Sequence, residues 1–141
     1  MTLFIFLISC SEEIKRPPSP IWVENSRPAD LEEKGIDAHN VNLIYPLNNS
    51  IKLTWHYNSE EDIWKYHVYR TNQMDEENKP IDFSNILTTE NDTSFYDEEV
   101  GNYFKYYYYL KAEKFEGIES NTSDTIFYTL FKKLKLFLFQ I

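Results

Sequence analysis

Three histidines are the side chains that could most readily bind a metal ion or move a proton near neutral pH: His39, His56 and His67. His56 and His67 fall on two different predicted strands, at positions that alternate away from the core face. A metal site needs three or four ligands that converge on one point. We therefore expect scattered, solvent-facing histidines and no metal site.

Carboxylates occur in three short acidic runs, residues 60–62, 75–77 and 97–99, and each run falls in a predicted turn. A hydrolase with paired carboxylates needs two of them facing each other across a cleft, whereas neighbours in a turn point apart into solvent. Loose calcium binding is the alternative, but the spacing and the glycine of an EF-hand loop are missing. We expect solvated turns without a catalytic role.

Motifs for nucleophilic catalysis and phosphate binding are missing from the sequence. It has neither Gly-x-Ser-x-Gly nor a glycine-rich phosphate loop. Three glycosylation sequons begin at Asn48, Asn91 and Asn121, and chance explains them in an Asn-rich chain. We expect a protein that is not an enzyme and needs no cofactor.

The single cysteine, Cys10, follows an apolar run at residues 3–8 and has no second cysteine with which to form a disulfide. The run is shorter than the roughly 20 residues that span a bilayer, but it has the length of the apolar part of a signal peptide. Residues 7–10 (Leu-Ile-Ser-Cys) resemble a bacterial lipobox, although no Lys or Arg precedes the apolar run.

The lipobox resemblance implies that residues 1–10 form a lipoprotein signal segment, that cleavage occurs before Cys10, and that a lipid on Cys10 anchors the chain to a membrane. Ser11 rather than Asp follows the cysteine. By resemblance to Gram-negative lipoproteins, this implies localisation in the cell envelope, at the outer membrane. The alternative is an ordinary apolar N-terminus with a free thiol.

Composition and charge limit the folds and the binding partners that are possible for this chain. The 141 residues suit one domain with tails, and eleven Tyr and ten Phe against three Gly favour strands. The formal charge of −9 argues against a nucleic-acid partner and against electrostatic adhesion to an anionic bilayer. Any partner should be an uncharged or basic protein, peptide or glycan.

Short strands between turns must position these side chains. Ile51, Leu53 and Trp55 alternate with polar residues, and this period of two predicts a strand with one buried face and one solvent-exposed face. Further strands are predicted at residues 63–71, 83–87, 93–97, 103–113 and 123–130, and short apolar runs lie at 21–23 and 41–45. The predicted core between two sheets consists of Trp55, Tyr66, Val68, Tyr106, Tyr108 and Leu110.

Residues 36–128 resemble a fibronectin type III domain. The resemblance rests on six motifs in order: Ile51-x-Leu-x-Trp55, Ile63-x-x-Tyr-x-Val-Tyr-Arg70, Thr93-x-Phe-x-Asp97, Tyr106-x-Tyr-x-Leu-x-Ala112, Gly117-x-Glu-Ser120 and Ser123-Asp124. It implies an all-β, immunoglobulin-like antiparallel β-sandwich in which Trp55 fills the core and Tyr106 forms a tyrosine corner. With the lipobox, the whole chain resembles a bacterial lipoprotein that contains a fibronectin type III domain.

The flanking segments differ from this domain. Residues 11–35 are polar and rich in proline, and we expect a tether and lead-in. Residues 129–141 form an apolar and basic tail that is too short to span a membrane. The tail either extends the last strand, lies on a surface, or marks the truncation of a longer protein, and we favour truncation.

A row of tyrosines is the candidate binding surface. Tyr107 and Tyr109 alternate outward on one predicted strand, beside Tyr69 on another. Such a row can stack on sugar rings or peptide, unless a loop or a second domain covers it. We expect a non-catalytic surface module for binding or spacing; the alternative is an accessory domain of an extracellular enzyme, such as one acting on carbohydrates, whose catalytic part is missing.

Overall fold

The computed structural model describes residues 15–24, 36–37, 50–58 and 62–129. The regular structure in these ranges is entirely strand, as β-branched and aromatic residues that alternate with polar ones favour. The strands are β1 (Ile36–Asp37), β2 (Ile51–Thr54), β3 (Ile63–Thr71), β4 (Gln73–Met74), β5 (Pro80–Ile81), β6 (Ser84–Thr89), β7 (Ser94–Asp97), β8 (Lys105–Lys114) and β9 (Ile126–Thr129).

The strands form two antiparallel sheets and a small hairpin. One sheet has the order β1-β2-β7, the other has the order β6-β3-β8-β9, and β4 pairs with β5 between β3 and β6. The longest ladder joins β3 to β8 and runs from Ile63↔Lys114 to Thr71↔Tyr107. This architecture confirms the predicted antiparallel β-sandwich.

The core lies between the two sheets and contains all six residues that the alternation predicted: Trp55, Tyr66, Val68, Tyr106, Tyr108 and Leu110. The rings of Trp55 and Tyr66 are 5.9 Å apart. The Tyr106 hydroxyl accepts a hydrogen bond from the Gly101 N–H at 2.8 Å, which is the expected tyrosine corner. A buried tyrosine needs such a partner for its hydroxyl.

The N-terminal segment at residues 15–24 packs on the domain, so the expected tether is wrong for this part of 11–35. Trp22 is buried in the core, forms an antiparallel bridge with Trp55, and has its ring 6.5 Å from that of Trp55. Its Nε1–H donates to the Asp124 carbonyl at 2.8 Å. Pro17 and Pro20 are also buried. Prolines fix an extended backbone, and extended chain can lie along a sheet edge as well as in solvent.

Asp97 also departs from expectation, because the structure buries it while the acidic run 97–99 was expected to be solvated. The Arg70 guanidinium donates to both Asp97 carboxylate oxygens, at 2.7 and 2.9 Å, and the Tyr108 hydroxyl donates at 2.8 Å. Asp97 is the last residue of β7 and shares the inward phase of Phe95. Glu98 and Glu99 are exposed.

Candidate binding face

The outer face of the β6-β3-β8-β9 sheet carries the predicted tyrosines. Cross-strand pairing places Tyr69 opposite Tyr109 and Thr71 opposite Tyr107. Residues directly opposite on antiparallel strands have side chains on the same face. The register therefore brings the three tyrosines to one region, as the alternation predicted.

Tyr107 faces away from the core but is covered, so the expectation of an open row of three tyrosines is wrong at this position. Its relative exposure is 8%. The hydroxyl donates to Met74 Sδ at 3.2 Å, and the ring lies 5.9 Å from that of Phe127. Met74 belongs to the β4–β5 hairpin, which lies between the predicted strands 63–71 and 83–87, where no strand was predicted. The hairpin and Phe127 cover this end of the sheet.

Tyr69, Phe83 and Tyr109 form what we call the outer aromatic cluster. The Tyr69 and Tyr109 rings are stacked at 4.8 Å with an interplanar angle of 21°, and Phe83 lies 4.6 Å from Tyr109. All three side chains are partly exposed. Burial, followed by the neighbouring Tyr69, raises the pKa of Tyr109 above its usual value. The Tyr109 hydroxyl is therefore a neutral hydrogen-bonding group at physiological pH.

The stacking changes what the cluster can bind. Because each tyrosine gives one ring face to the other, the pair offers fewer open faces than a row of separate tyrosines. Lys111 Nζ lies 5.8 Å from the centre of the Tyr69 ring, which adds a cation beside the cluster. The accessible surface combines aromatic edges, phenol hydroxyls and one ammonium group. Such a surface suits contact with a protein or peptide.

A polar group next to the aromatic cluster contains His67, which was expected to face solvent. Its side chain is only 12% exposed. Nδ1 is 2.8 Å from Thr88 Oγ1, and Nε2 is 2.5 Å from Glu113 Oε2. His67 lies outward on β3, as predicted, but its neighbours on β6 and β8 enclose it. His56 is exposed, and His39 lies outside the described residues.

The turn after β8 brings Glu119 back to the same face. Gly117 has φ of +81°, which favours glycine, and its N–H donates to the Lys114 carbonyl at 2.9 Å. Glu113 and Glu119 then face each other across an antiparallel bridge. Lys111 Nζ contacts Glu119 Oε2 at 2.8 Å, and this hydrogen bond raises the pKa of Lys111.

Phe83, Glu113 and Glu119 are the members of this face that the sequence did not single out. Phe83 was predicted only as the start of a short strand, and Glu119 only as part of the turn motif Gly117-x-Glu-Ser120. Glu113 is the next-to-last residue of β8, and Glu119 lies two residues beyond Gly117. The glycine turn between the two glutamates is the signal in the sequence that could have indicated their pairing.

Cys10, which was predicted to carry a lipid, and the tail beyond residue 129 lie outside the described residues, as does the apolar run 41–45. In the part of the chain that the structure describes, no helix is long and apolar enough to cross a membrane.

Comparisons with known proteins identify the fold. No family model and no curated protein sequence matches the chain. Among solved structures, the fibronectin type III domain of human fibronectin type III domain containing protein 3 matches with a TM-score of 0.54 and 19% identity, over 86% of this chain and 92% of that one.

Parts of two bacterial enzymes are similar as well. A β-1,2-glucanase from Parabacteroides distasonis matches with a TM-score of 0.55 and 20% identity, over 81% of this chain and 13% of the glucanase. A pectate lyase from Pectobacterium carotovorum matches with a TM-score of 0.51 and 11% identity, over 77% of this chain and 26% of the lyase. The described part of this chain therefore has the fold of a fibronectin type III domain.

Proposed function

We propose that this chain is a non-catalytic binding module that recognises an uncharged or basic protein or peptide through the outer face of its four-stranded sheet. The observation that carries the proposal is the outer aromatic cluster of Tyr69, Phe83 and Tyr109. Its three side chains are partly exposed, and the Tyr109 ring lies 4.8 Å from that of Tyr69 and 4.6 Å from that of Phe83. Rigid aromatic side chains supply contact area at low entropic cost.

The charge of the chain supports the choice of partner. The net charge of −9 repels polyanions, and it attracts basic segments of a protein or peptide. An uncharged glycan is the weaker candidate, because the mutual stacking of Tyr69 and Tyr109 uses ring faces on which a sugar would stack.

We further propose that a lipid on Cys10 holds the module at the cell envelope, in the outer membrane of a Gram-negative bacterium. The lipobox-like residues 7–10 and the Ser11 that follows support this localisation. The segment at residues 15–24 packs against the domain. A short connection would then hold the domain close to the lipid.

A second candidate function is an accessory domain of an extracellular enzyme whose catalytic part is missing. The similarity to 13% of a β-1,2-glucanase and 26% of a pectate lyase favours this alternative. The DNA downstream of the reading frame separates the two proposals. A catalytic domain that continues in another frame would support the accessory role, whereas an unrelated gene would support the binding module.

The binding proposal is tested on peptide and glycan arrays. The chain with Cys10→Ser should bind a subset of neutral or basic peptides, and the double variant Tyr69→Ala with Tyr109→Ala should lose these signals. The matched control is Tyr57→Ala with Tyr96→Ala, which removes two exposed tyrosines elsewhere on the domain. Signals that survive the first double variant would place the site on the loops, and the absence of any signal would leave a spacer role.

A further inference from the structure

Two carboxylates face each other at one end of the outer face of the four-stranded sheet. Glu113 and Glu119 form an antiparallel bridge, and the Ser120 N–H, one residue further on, donates to the Ala112 carbonyl at 2.8 Å. Like charges directly opposite on neighbouring strands destabilise a sheet. A cation that both carboxylates share would remove this repulsion.

His67 brings an imidazole to the same point. One ligand atom each from His67, Glu113 and Glu119 lie within 4.8 Å of one another, and all three side chains are partly buried. The ligand atoms around a tetrahedral zinc ion, with bonds of about 2.0–2.2 Å, are separated by about 3.3–3.6 Å. His67 Nε2 and Glu113 Oε2 lie 2.5 Å apart and would have to separate by about 1 Å, and side-chain rotations of the two glutamates would bring all three ligand atoms to that spacing.

Thr88 orients the imidazole as a supporting residue would in a metal site. His67 Nδ1 is 2.8 Å from Thr88 Oγ1, which leaves Nε2 directed at Glu113. Hydrogen bonding of the second ring nitrogen is how metal-binding histidines are usually held. A metal ion at Nε2 would take the place of the hydrogen bond between Nε2 and Glu113 Oε2; any proton on Nε2 would pass to solvent, and Nδ1–H would donate to Thr88 Oγ1.

Three cationic side chains share this face or the groove beside it. Lys111 contacts Glu119 at 2.8 Å and is the direct competitor. Arg16 lines the groove beside Glu119, and its guanidinium donates to Asn121 Oδ1 at 3.2 Å. Lys65 shares the face, but its ammonium lies 3.4 Å over the Trp64 ring. A partly exposed ion pair such as Lys111–Glu119 contributes little to stability and exchanges readily.

We propose that His67, Glu113 and Glu119 form a binding site for one divalent transition-metal ion, Zn²⁺ by preference. One imidazole with two carboxylates suits zinc, copper or nickel better than magnesium or calcium. Three protein ligands would leave a fourth position for a water molecule, and Glu119 also lines the groove formed by Gly117, Ile118 and Ser120. The site adjoins the outer aromatic cluster but uses none of its three rings, and its test does not depend on the proposed partner.

The test is metal titration of the full chain carrying Cys10→Ser, which removes a competing thiol. Calorimetry should show one Zn²⁺ bound per chain, with Mg²⁺ and Ca²⁺ at least tenfold weaker, and Co²⁺ should give visible absorption bands of a four-coordinate ion. His67→Gln, Glu113→Gln and Glu119→Gln should each weaken Zn²⁺ binding at least tenfold. Lys111→Met should strengthen it severalfold, because it removes the competing ammonium.

Matched controls are His56→Gln and Glu116→Gln, which change an exposed histidine and an exposed glutamate near the turn. Near-UV circular dichroism verifies that each variant is folded, and Glu119→Gln, at the rim of the groove, is the variant least able to disturb the core. No Zn²⁺ binding in the parent chain, or equal affinity in Glu119→Gln and Glu116→Gln, would overturn the proposal.

Discussion

Arg70 and Asp97 join the two sheets through a buried ion pair. Arg70 Nη1 lies 2.7 and 2.9 Å from the two carboxylate oxygens of Asp97, and the side chains are 18% and 3% exposed. Arg70 belongs to β3 of the four-stranded sheet and Asp97 to β7 of the three-stranded sheet. Burial alone would lower the pKa of Arg70, but the hydrogen bond and charge of Asp97 outweigh it and raise the pKa.

Asp97→Asn should destabilise the domain by about 3–5 kcal/mol, because it leaves a partly buried guanidinium without its counter-charge. Urea unfolding measures the change in the free energy of unfolding. Glu99→Gln is the control: its carboxylate is 3.9 Å from Arg70 but 88% exposed, and its loss should cost less than about 1 kcal/mol. Equal costs for the two variants would show that the Arg70–Asp97 pair does not hold the sheets together.

Stability should fall as the pH rises above about 10, where tyrosine ordinarily ionises. Burial, followed by the charge of Asp97, raises the pKa of Tyr108, and burial also raises that of Tyr66. A group whose pKa is higher in the folded state keeps its proton there while the unfolded chain loses it. The stability contribution is therefore intact below the unfolded pKa and declines above it.

The urea midpoint between pH 8 and pH 11 measures this effect. In Tyr108→Phe the urea midpoint should fall less steeply with rising pH. The variant should also be less stable at every pH, because it lacks the hydrogen bond from the Tyr108 hydroxyl to Asp97. Tyr57→Phe, which alters an exposed ring, controls for the removal of one phenol. A decline that is as steep in Tyr108→Phe as in the parent chain would assign the alkaline sensitivity to other groups.

Trp22→Ala should lower the free energy of unfolding by about 3–5 kcal/mol, the same range as Trp55→Ala, because both rings are large and fully buried. Trp64→Ala is the control, since this partly exposed ring stacks on the surface against Phe115 at 5.6 Å. Thermal or urea unfolding of the three variants gives the comparison. If Trp22→Ala left the free energy of unfolding nearly unchanged, residues 15–24 would behave as part of the tether that we expected within residues 11–35.

The Cys10→Ser variant should appear in the soluble fraction of a bacterial host, whereas the parent chain should appear in the membrane fraction. The reason is that the serine hydroxyl cannot accept the lipid that is transferred to the thiol. Fractionation with mass analysis of the parent chain measures both localisation and lipid. A variant that stays in the membrane fraction would assign membrane attachment to another segment, with the apolar tail 129–141 as the first candidate.

The sequence predicted the strands and the phase of the core well, because alternation is a local property. Trp55 and Tyr108 were placed correctly for this reason. The burial of an outward-facing side chain by another segment was not predictable in the same way. Tyr107 is covered by Met74, which lies 33 positions away in the sequence, on a hairpin. Alternation reports which way a side chain faces, but only the tertiary fold determines what lies above it.

The polar group of His67, Glu113 and Glu119 on the outer face could not be predicted without knowing the pairing register of the strands. His67 meets Glu113 because β3 pairs with β8 with Tyr66 opposite Ala112, and a single-sequence pattern does not specify that register. Glu119 joins them only through the turn at Gly117. The apolar run 21–23 was noted, but the burial of Trp22 was not predicted, because the proline-rich composition beside it is shared by tethers and by extended edge segments.

The most direct measurement for the proposed binding face is the affinity of the strongest array ligand, determined by surface plasmon resonance with the parent chain and the two double tyrosine variants. Loss of buried aromatic contacts at an interface commonly costs about 2 kcal/mol or more, which is roughly thirtyfold in Kd. We predict at least this loss for Tyr69→Ala with Tyr109→Ala, and less than about a twofold change for Tyr57→Ala with Tyr96→Ala. Equal affinity in the parent chain and in the Tyr69–Tyr109 variant would contradict the account.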